Sequence, residues 1–299
     1  MKVLIVGING FIGSHVAEGL SIVGHEVYGI DRTVGTGKYN TEVFDVLCDN
    51  ISEALRRIRP DVIINCAGQA NVPNSIAHPE ADLMENTVIV HKILFAINQV
   101  GLVRTRFVQL SSAAVYGNPD CLPISENSRM KPLSPYALHK MMAEDICLYF
   151  SKVYDIDVKV LRLFSVYGNG LRKQIFWDLY QKYRESGKLS LIGTGEESRD
   201  YIHINDLVSA IRIIVETDSK NEIWNIASGC EVYIKEVADI FARKLGLAMS
   251  EIEFSGRNRQ GDPINWQADI SRIKAEGFVP QINIEQGISE YISWVKNDE

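Results

Sequence analysis

Strand, glycine turn and helix start follow one another without a break at the front of this chain, and that succession leaves few folds open. Lys2 leads into Val-Leu-Ile-Val6, which has the length and apolar character of a fully buried strand. Gly7-Ile-Asn-Gly10-Phe-Ile-Gly13 comes next, and a helical pattern runs from Ser14 to Val23. Glycines there let the backbone approach a pyrophosphate, and the helix N-terminus offers free N–H groups and the positive end of its dipole. The spacing is G-x-x-G-x-x-G rather than G-x-G-x-x-G, a variant of the dinucleotide loop. The residues expected on the cofactor are therefore Gly7, Asn9, Gly10, Phe11, Ile12 and Gly13. A second apolar run, Glu26 to Ile30, ends in Asp31, where a carboxylate can accept the adenosine ribose hydroxyls. That carboxylate repels a 2′-phosphate and favours NAD over NADP. Arg32, next door, offsets part of the repulsion and keeps NADP open.

The pattern continues as strand-like and helical runs in alternation. After Asp31 come strand-like residues 42–46, a helix near 52–58, strand-like 61–66 and a long helix from about 79 to 100. Strand-like 106–110, a helix from about 135 to 154 and strand-like 157–163 complete the series. Such alternation predicts an α/β fold: a Rossmann-type, doubly wound parallel sheet with helices on both faces. Past Gly168 the pattern loosens, with helices near 205–216 and 235–245. The expected division is an NAD(P)-binding domain over 1–167 and a smaller, mainly substrate-binding lobe over 168–299, interleaved with the end of the sheet.

Bulk properties exclude several classes of function. The 299 residues are 46% hydrophobic and 23% charged, as in an ordinary enzyme. Net charge is −7 with no basic stripe, so no nucleic-acid partner is expected. The five cysteines are scattered and lack a C-x-x-C, which reads as reduced thiols in a cytoplasmic protein. The six histidines are isolated, so no metal site is expected. The glycine motif begins too early for a signal peptide, and no apolar run approaches the ~20 residues of a membrane span.

Chemistry concentrates in Ser134-Pro-Tyr-Ala-Leu-His-Lys140. Tyr136 and Lys140, four apart, share one helix face. An ammonium near a phenol, especially beside an oxidised nicotinamide, favours the phenolate below its ordinary ~10. A Tyr tuned in this way can exchange a proton with a sugar hydroxyl or ketone near neutral pH.

Four motifs occur in order: Gly7-x-x-Gly10-x-x-Gly13, Ser111-Ser-Ala-Ala-Val-Tyr-Gly117, Tyr136-x-x-x-Lys140 and Arg199-Asp-Tyr-Ile-His-Ile-Asn-Asp206. Together they resemble the extended short-chain dehydrogenase/reductase family, the NAD-dependent nucleotide-sugar epimerases and dehydratases. The resemblance runs nearly end to end, with Arg259-Gln-Gly-Asp262 and Gly287 to Trp294 fitting the C-terminal pattern. It implies Ser112 as the catalytic hydroxyl, Tyr136 as the acid/base, and Lys140 as the residue that tunes Tyr136 and bonds the nicotinamide ribose. Asn86 matches a helix Asn that is structural and water-holding. Asp45 and Val46 would meet the adenine, and Cys66, Ala67 and Gly68 would form the small-residue turn beside the cofactor. Gln69, Ser165, Arg199 and Arg259 would face the substrate, the arginines on its diphosphate. Asp206 reads as a structural cap, His139 as a bystander, and Arg172 with Lys173 equally as phosphate-path or solvated surface residues.

Departures from the family pattern narrow the expectation. Dehydratases of this family carry acids directly after the catalytic hydroxyl, where this chain has Ala113-Ala114, so 4,6-dehydration is not expected. Ser165 replaces a common Asn. Ala67-Gly68-Gln69 with Val72 and Pro79-Glu80 is similar to enzymes acting on GDP-sugars. The leading expectation is a nucleoside-diphosphate-sugar 4-epimerase with bound NAD. A NAD(P)H-dependent 4-ketoreductase is the alternative, and a non-catalytic NAD-binding regulator is a third reading. The family resemblance also implies a homodimer through the two long helices.

Overall fold

The computed structural model describes residues 1–35, 37–257, 261 and 263–298. Seven strands form the main sheet: β1 (Lys2–Val6), β2 (Glu26–Asp31), β3 (Asn40–Val43), β4 (Val62–Asn65), β5 (Arg106–Ser112), β6 (Val158–Leu163) and, after three short strands, β10 (Ile223–Ile226). Their order is β3-β2-β1-β4-β5-β6-β10, and every pairing is parallel. The helices are α1 (Phe11–Ile22), α2 (Ile51–Ile58), α3 (Val72–Ala77), α4 (Pro79–Leu83), α5 (Ile89–Val100), α6 (Pro135–Tyr154), α7 (Gln174–Ser186), α8 (Ile204–Glu216), α9 (Ile234–Leu245), α10 (Ser271–Ala275) and α11 (Ile284–Asn297).

Strand alternation explains why both sheet faces are covered. From β1, Val3 and Ile5 enter a core with Val16 and Leu20 of α1 and with Leu207 and Ile211 of α8. Leu4 and Val6 enter the opposite core with Leu55 of α2, Ile93 of α5 and Phe150 of α6. β1 and β4, near the middle of the sheet, are near-continuous apolar runs because neither of their faces meets water, whereas the edge strand β3 is polar and partly exposed.

The smaller body has its own core, centred on Phe176 and Tyr180 of α7, Phe241 of α9 and Tyr291 of α11. Its strands are β7 (Ser165–Tyr167), β8 (Leu189–Leu191), β9 (Ser198–His203), β11 (Glu231–Tyr233) and β12 (Ile252–Phe254). They form a β11-β9-β7 sheet and a β12-β8 pair. Between β9 and β11 the chain returns to the main sheet as β10.

Two elements differ from the sequence expectation. The strand expected at 42–46 lies at 40–43, because Asp45 opens a turn in which Cys48 and Asp49 N–H groups donate to its carbonyl. The long helix expected over 79–100 is interrupted by a π-helical turn at Met84–Val88 between α4 and α5.

Candidate active site

The sheet order reverses between β1 and β4, and the strand ends there open a crevice. A cavity of about 290 Å³ lies in it, lined by Gly7, Asn9, Gly10, Asp31, Arg32, Asp45, Val46, Cys66, Ala67 and Gly68 among others. Ten of the expected cofactor residues thus converge on one space. Phe11, Ile12 and Gly13 form the first turn of α1, whose N–H groups have no preceding turn to bond. Gly7 has φ +81°, and a Cβ there would lie 2.8 Å from the Ala67 nitrogen. A Cβ on Gly13 would stand 2.1 Å from the Gly7 carbonyl oxygen. The turn closes this tightly only because both positions are glycine, and it brings the backbone of Gly7 and Gly10 to the cavity wall.

At the far end Asp31 is fixed as an acceptor. Its Oδ2 accepts from Asn9 N–H at 3.0 Å, and its Oδ1 accepts from Thr33 N–H at 3.0 Å and Thr33 Oγ1 at 2.8 Å. Arg32 turns away to donate to Glu85 Oε1 at 3.0 Å. The cation that could have balanced a 2′-phosphate is engaged with a carboxylate at the rim. Thr33 and Glu85 were not singled out in the sequence; Thr33 could have been found as the turn residue after Asp31, whereas nothing local marks Glu85.

Ser112 ends β5 and caps the short 3-10 turn Ala113–Tyr116, accepting from Ala114 N–H at 3.2 Å. Ser134 caps α6 with Pro135 at its first position, which turns Tyr136 and Lys140 inward; both are buried. The Ser112 hydroxyl hydrogen-bonds the Tyr136 phenol. Lys140 Nζ stands 6.0 Å from the centre of the Tyr136 ring and donates to the Leu110 carbonyl at 3.1 Å. Gly68 closes the group, since a Cβ there would lie 3.5 Å from Lys140 Nζ and 2.7 Å from Asn86 Oδ1.

Burial governs the titration of this cluster. It pushes the Tyr136 phenol up to about 12, which the Ser112 hydrogen bond partly opposes and the Asp82 charge reinforces. It draws Lys140 down to about 8, against the pull of Asp82 and Glu144. The expectation that Lys140 brings the phenol below its ordinary value is therefore not met by the protein groups alone.

Gln69, Ser165 and Arg199 are not among the residues that line the cavity. Gln69 is half-buried next to Gly68, its Oε1 accepting from Ala70 N–H at 3.0 Å. Ser165 begins β7, in register with Tyr201. Arg199 lies over the Trp266 ring at 5.5 Å and donates to the Ser198 and Ile264 carbonyls at 2.7 and 3.1 Å. Arg259 lies outside the described residues. Asp206 is a structural cap, accepting from Gln281 and Ile282 N–H at 3.1 and 3.0 Å. Arg172 pairs with Asp298 and lines a separate cleft of about 350 Å³ with Trp177 and Trp294. His139 is a buried partner of Asp82 rather than a bystander, with Nδ1 2.6 Å from Asp82 Oδ2.

The model of the NAD dependent epimerase/dehydratase family matches residues 3–227. A protein of Methanocaldococcus jannaschii provisionally named UDP-glucose 4-epimerase is 29% identical, over 99% of both chains. Among solved structures, a Bacillus cereus UDP-glucuronic acid 4-epimerase with UDP-glucuronic acid and NAD superposes with TM-score 0.92 at 25% identity, over 100% of both chains. A Thermotoga maritima UDP-glucose 4-epimerase with UDP-glucose gives 0.89 at 25% identity, over 100% of this chain and 99% of that one.

Proposed function

The chain belongs to the NAD-dependent epimerase/dehydratase family, and from that premise we propose that it is a nucleoside-diphosphate-sugar 4-epimerase with Tyr136 as its acid/base. One observation carries the reading. Ser112, Tyr136 and Lys140 meet beside the glycine cradle, while Ala113 and Ala114 leave no acid after Ser112 to remove water.

NAD, when bound, supplies the hydride acceptor for the sugar C4 and a positive ring that favours the phenolate. The chain's own residues do the rest. The Gly7–Gly13 turn and the first turn of α1 hold the pyrophosphate, and Asp31 accepts the adenosine ribose hydroxyls. Asp45 and Val46 flank the adenine. Lys140 donates to the nicotinamide ribose. Ser112 hydrogen-bonds the sugar O4, and Tyr136 takes the O4 proton and returns it once the sugar has presented its other face.

The substrate side rests on Gln69, Ser165, Arg199 and Arg259, with residues 168–299 its main frame and 1–167 that of the cofactor. The relatives named for UDP-sugars make uridine diphosphate the first base to try. Calorimetry with UDP, GDP, dTDP and CDP tests this, and the nucleotide carried through purification tests the cofactor. UDP binding with retained NAD is expected. Failure of all four diphosphates to bind at millimolar concentration would remove the nucleotide-sugar reading.

A homodimer fits the outer surface of the long helices. Leu138, Met142, Tyr149 and Val153 of α6 and Phe95 of α5 expose an apolar stripe of the kind a partner covers.

A further inference from the structure

Lys140 is an ammonium with 6% of its surface exposed, and its Nζ bonds the Leu110 carbonyl. A carbonyl dipole does not balance a full buried charge. Titratable groups face Lys140 from three elements: Tyr136, Glu144 and Cys147 on α6, Cys66 after β4, and Asp82 on α4. Burial holds the phenol and both thiols neutral near pH 7. Glu144 already has its own cation, because Arg162 Nη2 and Nε donate to its carboxylate at 2.7 and 3.1 Å.

Asp82 is different. Its side chain is fully enclosed, with one oxygen 2.6 Å from His139 Nδ1 and the other accepting from Asn86 Nδ2 at 3.0 Å. Among the described residues, no Arg or Lys hydrogen-bonds its carboxylate. Asn86 in turn leaves its Oδ1 buried without a hydrogen-bond partner. That oxygen and Lys140 Nζ face the same point, the place a Cβ on Gly68 would occupy, from 2.7 and 3.5 Å. Asn86 thus links the two groups, donating to the Asp82 carboxylate with its amide nitrogen while its amide oxygen shares the space at Gly68 with the ammonium.

We propose that Asp82, fixed by His139 and Asn86, is the counter-charge that keeps Lys140 an ammonium. It is a positioning residue that acts on the reaction only through Lys140, and its link to turnover rests on the epimerase reading above. The surrounding charges agree, since Asp82 is the foremost group opposing the burial that lowers Lys140 to about 8.

The test reads Lys140 directly, by pH titration of the ¹⁵N-lysine signals of the full-length protein, the resonance being assigned from its loss in Lys140→Met. Wild type should titrate near 8. Asp82→Asn should lower the midpoint by ~1 unit or more, the size of shift a neighbouring opposite charge produces. The alkaline limb of kcat/KM should move with it. His139→Gln keeps the carboxylate and should not lower the midpoint. If Asp82→Asn does not fold, Asp82→Ser removes the same charge. An unmoved midpoint in the Asp82 variant, or an equal fall in both variants, overturns the proposal. A midpoint that falls in a protein without turnover on any nucleotide sugar would keep the role of Asp82 and remove the epimerase reading instead.

Discussion

Lys140 Nζ and the Tyr136 ring stand 6.0 Å apart, yet burial moves the ammonium to about 8 and the phenol to about 12. Each is displaced toward its neutral form, because the same enclosure penalises both charges. A consequence for stability follows. Below pH 8 both folded and unfolded chains hold the Lys140 proton, and the folded state bears the burial of the charge. Between about 8 and the ordinary 10.5 the unfolded chain binds more protons, so this residue's contribution to stability rises with pH. Melting curves of wild type and Lys140→Met should therefore shift in favour of wild type as pH is raised from 8 to 10. A difference that stays constant would mean that Lys140 titrates normally.

Cofactor choice should follow from Asp31 together with Glu85. Asp31→Ser removes the ribose acceptor, and a hydrogen bond to a charged group contributes ~1.5–3 kcal/mol, so NAD should bind roughly 10- to 100-fold more weakly. Adding Glu85→Gln releases Arg32 and should improve NADP binding further. Titration of both cofactors checks the order. An unchanged preference would place ribose recognition elsewhere.

Glu144 and Arg162 tie α6 to β6 from positions 1% and 3% exposed. Breaking a buried pair by removing one partner costs ~3–5 kcal/mol. Glu144→Gln should lose about that much in urea denaturation, since Arg162 would be left buried without its counter-charge. A loss under ~1 kcal/mol would mean that the Arg162 bonds to the Tyr116 hydroxyl and the Glu126 carbonyl suffice.

Association should depend on the α6 stripe. Tyr149→Glu with Val153→Glu puts two charges on its exposed apolar positions. Light scattering should show a dimer for wild type and a monomer for the double variant, with the far-UV spectrum unchanged. A monomeric wild type would leave the stripe without a role in self-association.

The parts of the molecule that were legible in the sequence are those where local geometry dictates residue type. The glycine cradle needs residues without a Cβ, and β1 and α6 lie where the apolar run and the Ser134-Pro135 cap place them. The edge strand β3 was harder to place, because Asn-Thr-Glu-Val lacks the apolar run of a strand buried on both faces. The π-helical turn at Met84–Val88 has no breaker to mark it, since Met-Glu-Asn-Thr-Val holds neither Gly nor Pro. Asp82 and His139 meet across 57 residues, a contact that neither periodicity nor motif records. The raised phenol pKa was missed for a related reason: helical spacing brings an ammonium near Tyr136, but the fold decides how little water remains.

The most direct test offers UDP-hexoses and their C4 epimers to the purified enzyme without added NAD or NADH, and follows the sugar by NMR. The account predicts interconversion in both directions by wild type. It predicts a ~10²- to 10⁴-fold slower rate for Tyr136→Phe, with the bound NAD retained. A reaction that runs once and consumes added NADH or NADPH one for one would contradict the epimerase claim. Near-normal turnover by Tyr136→Phe would contradict the role of Tyr136.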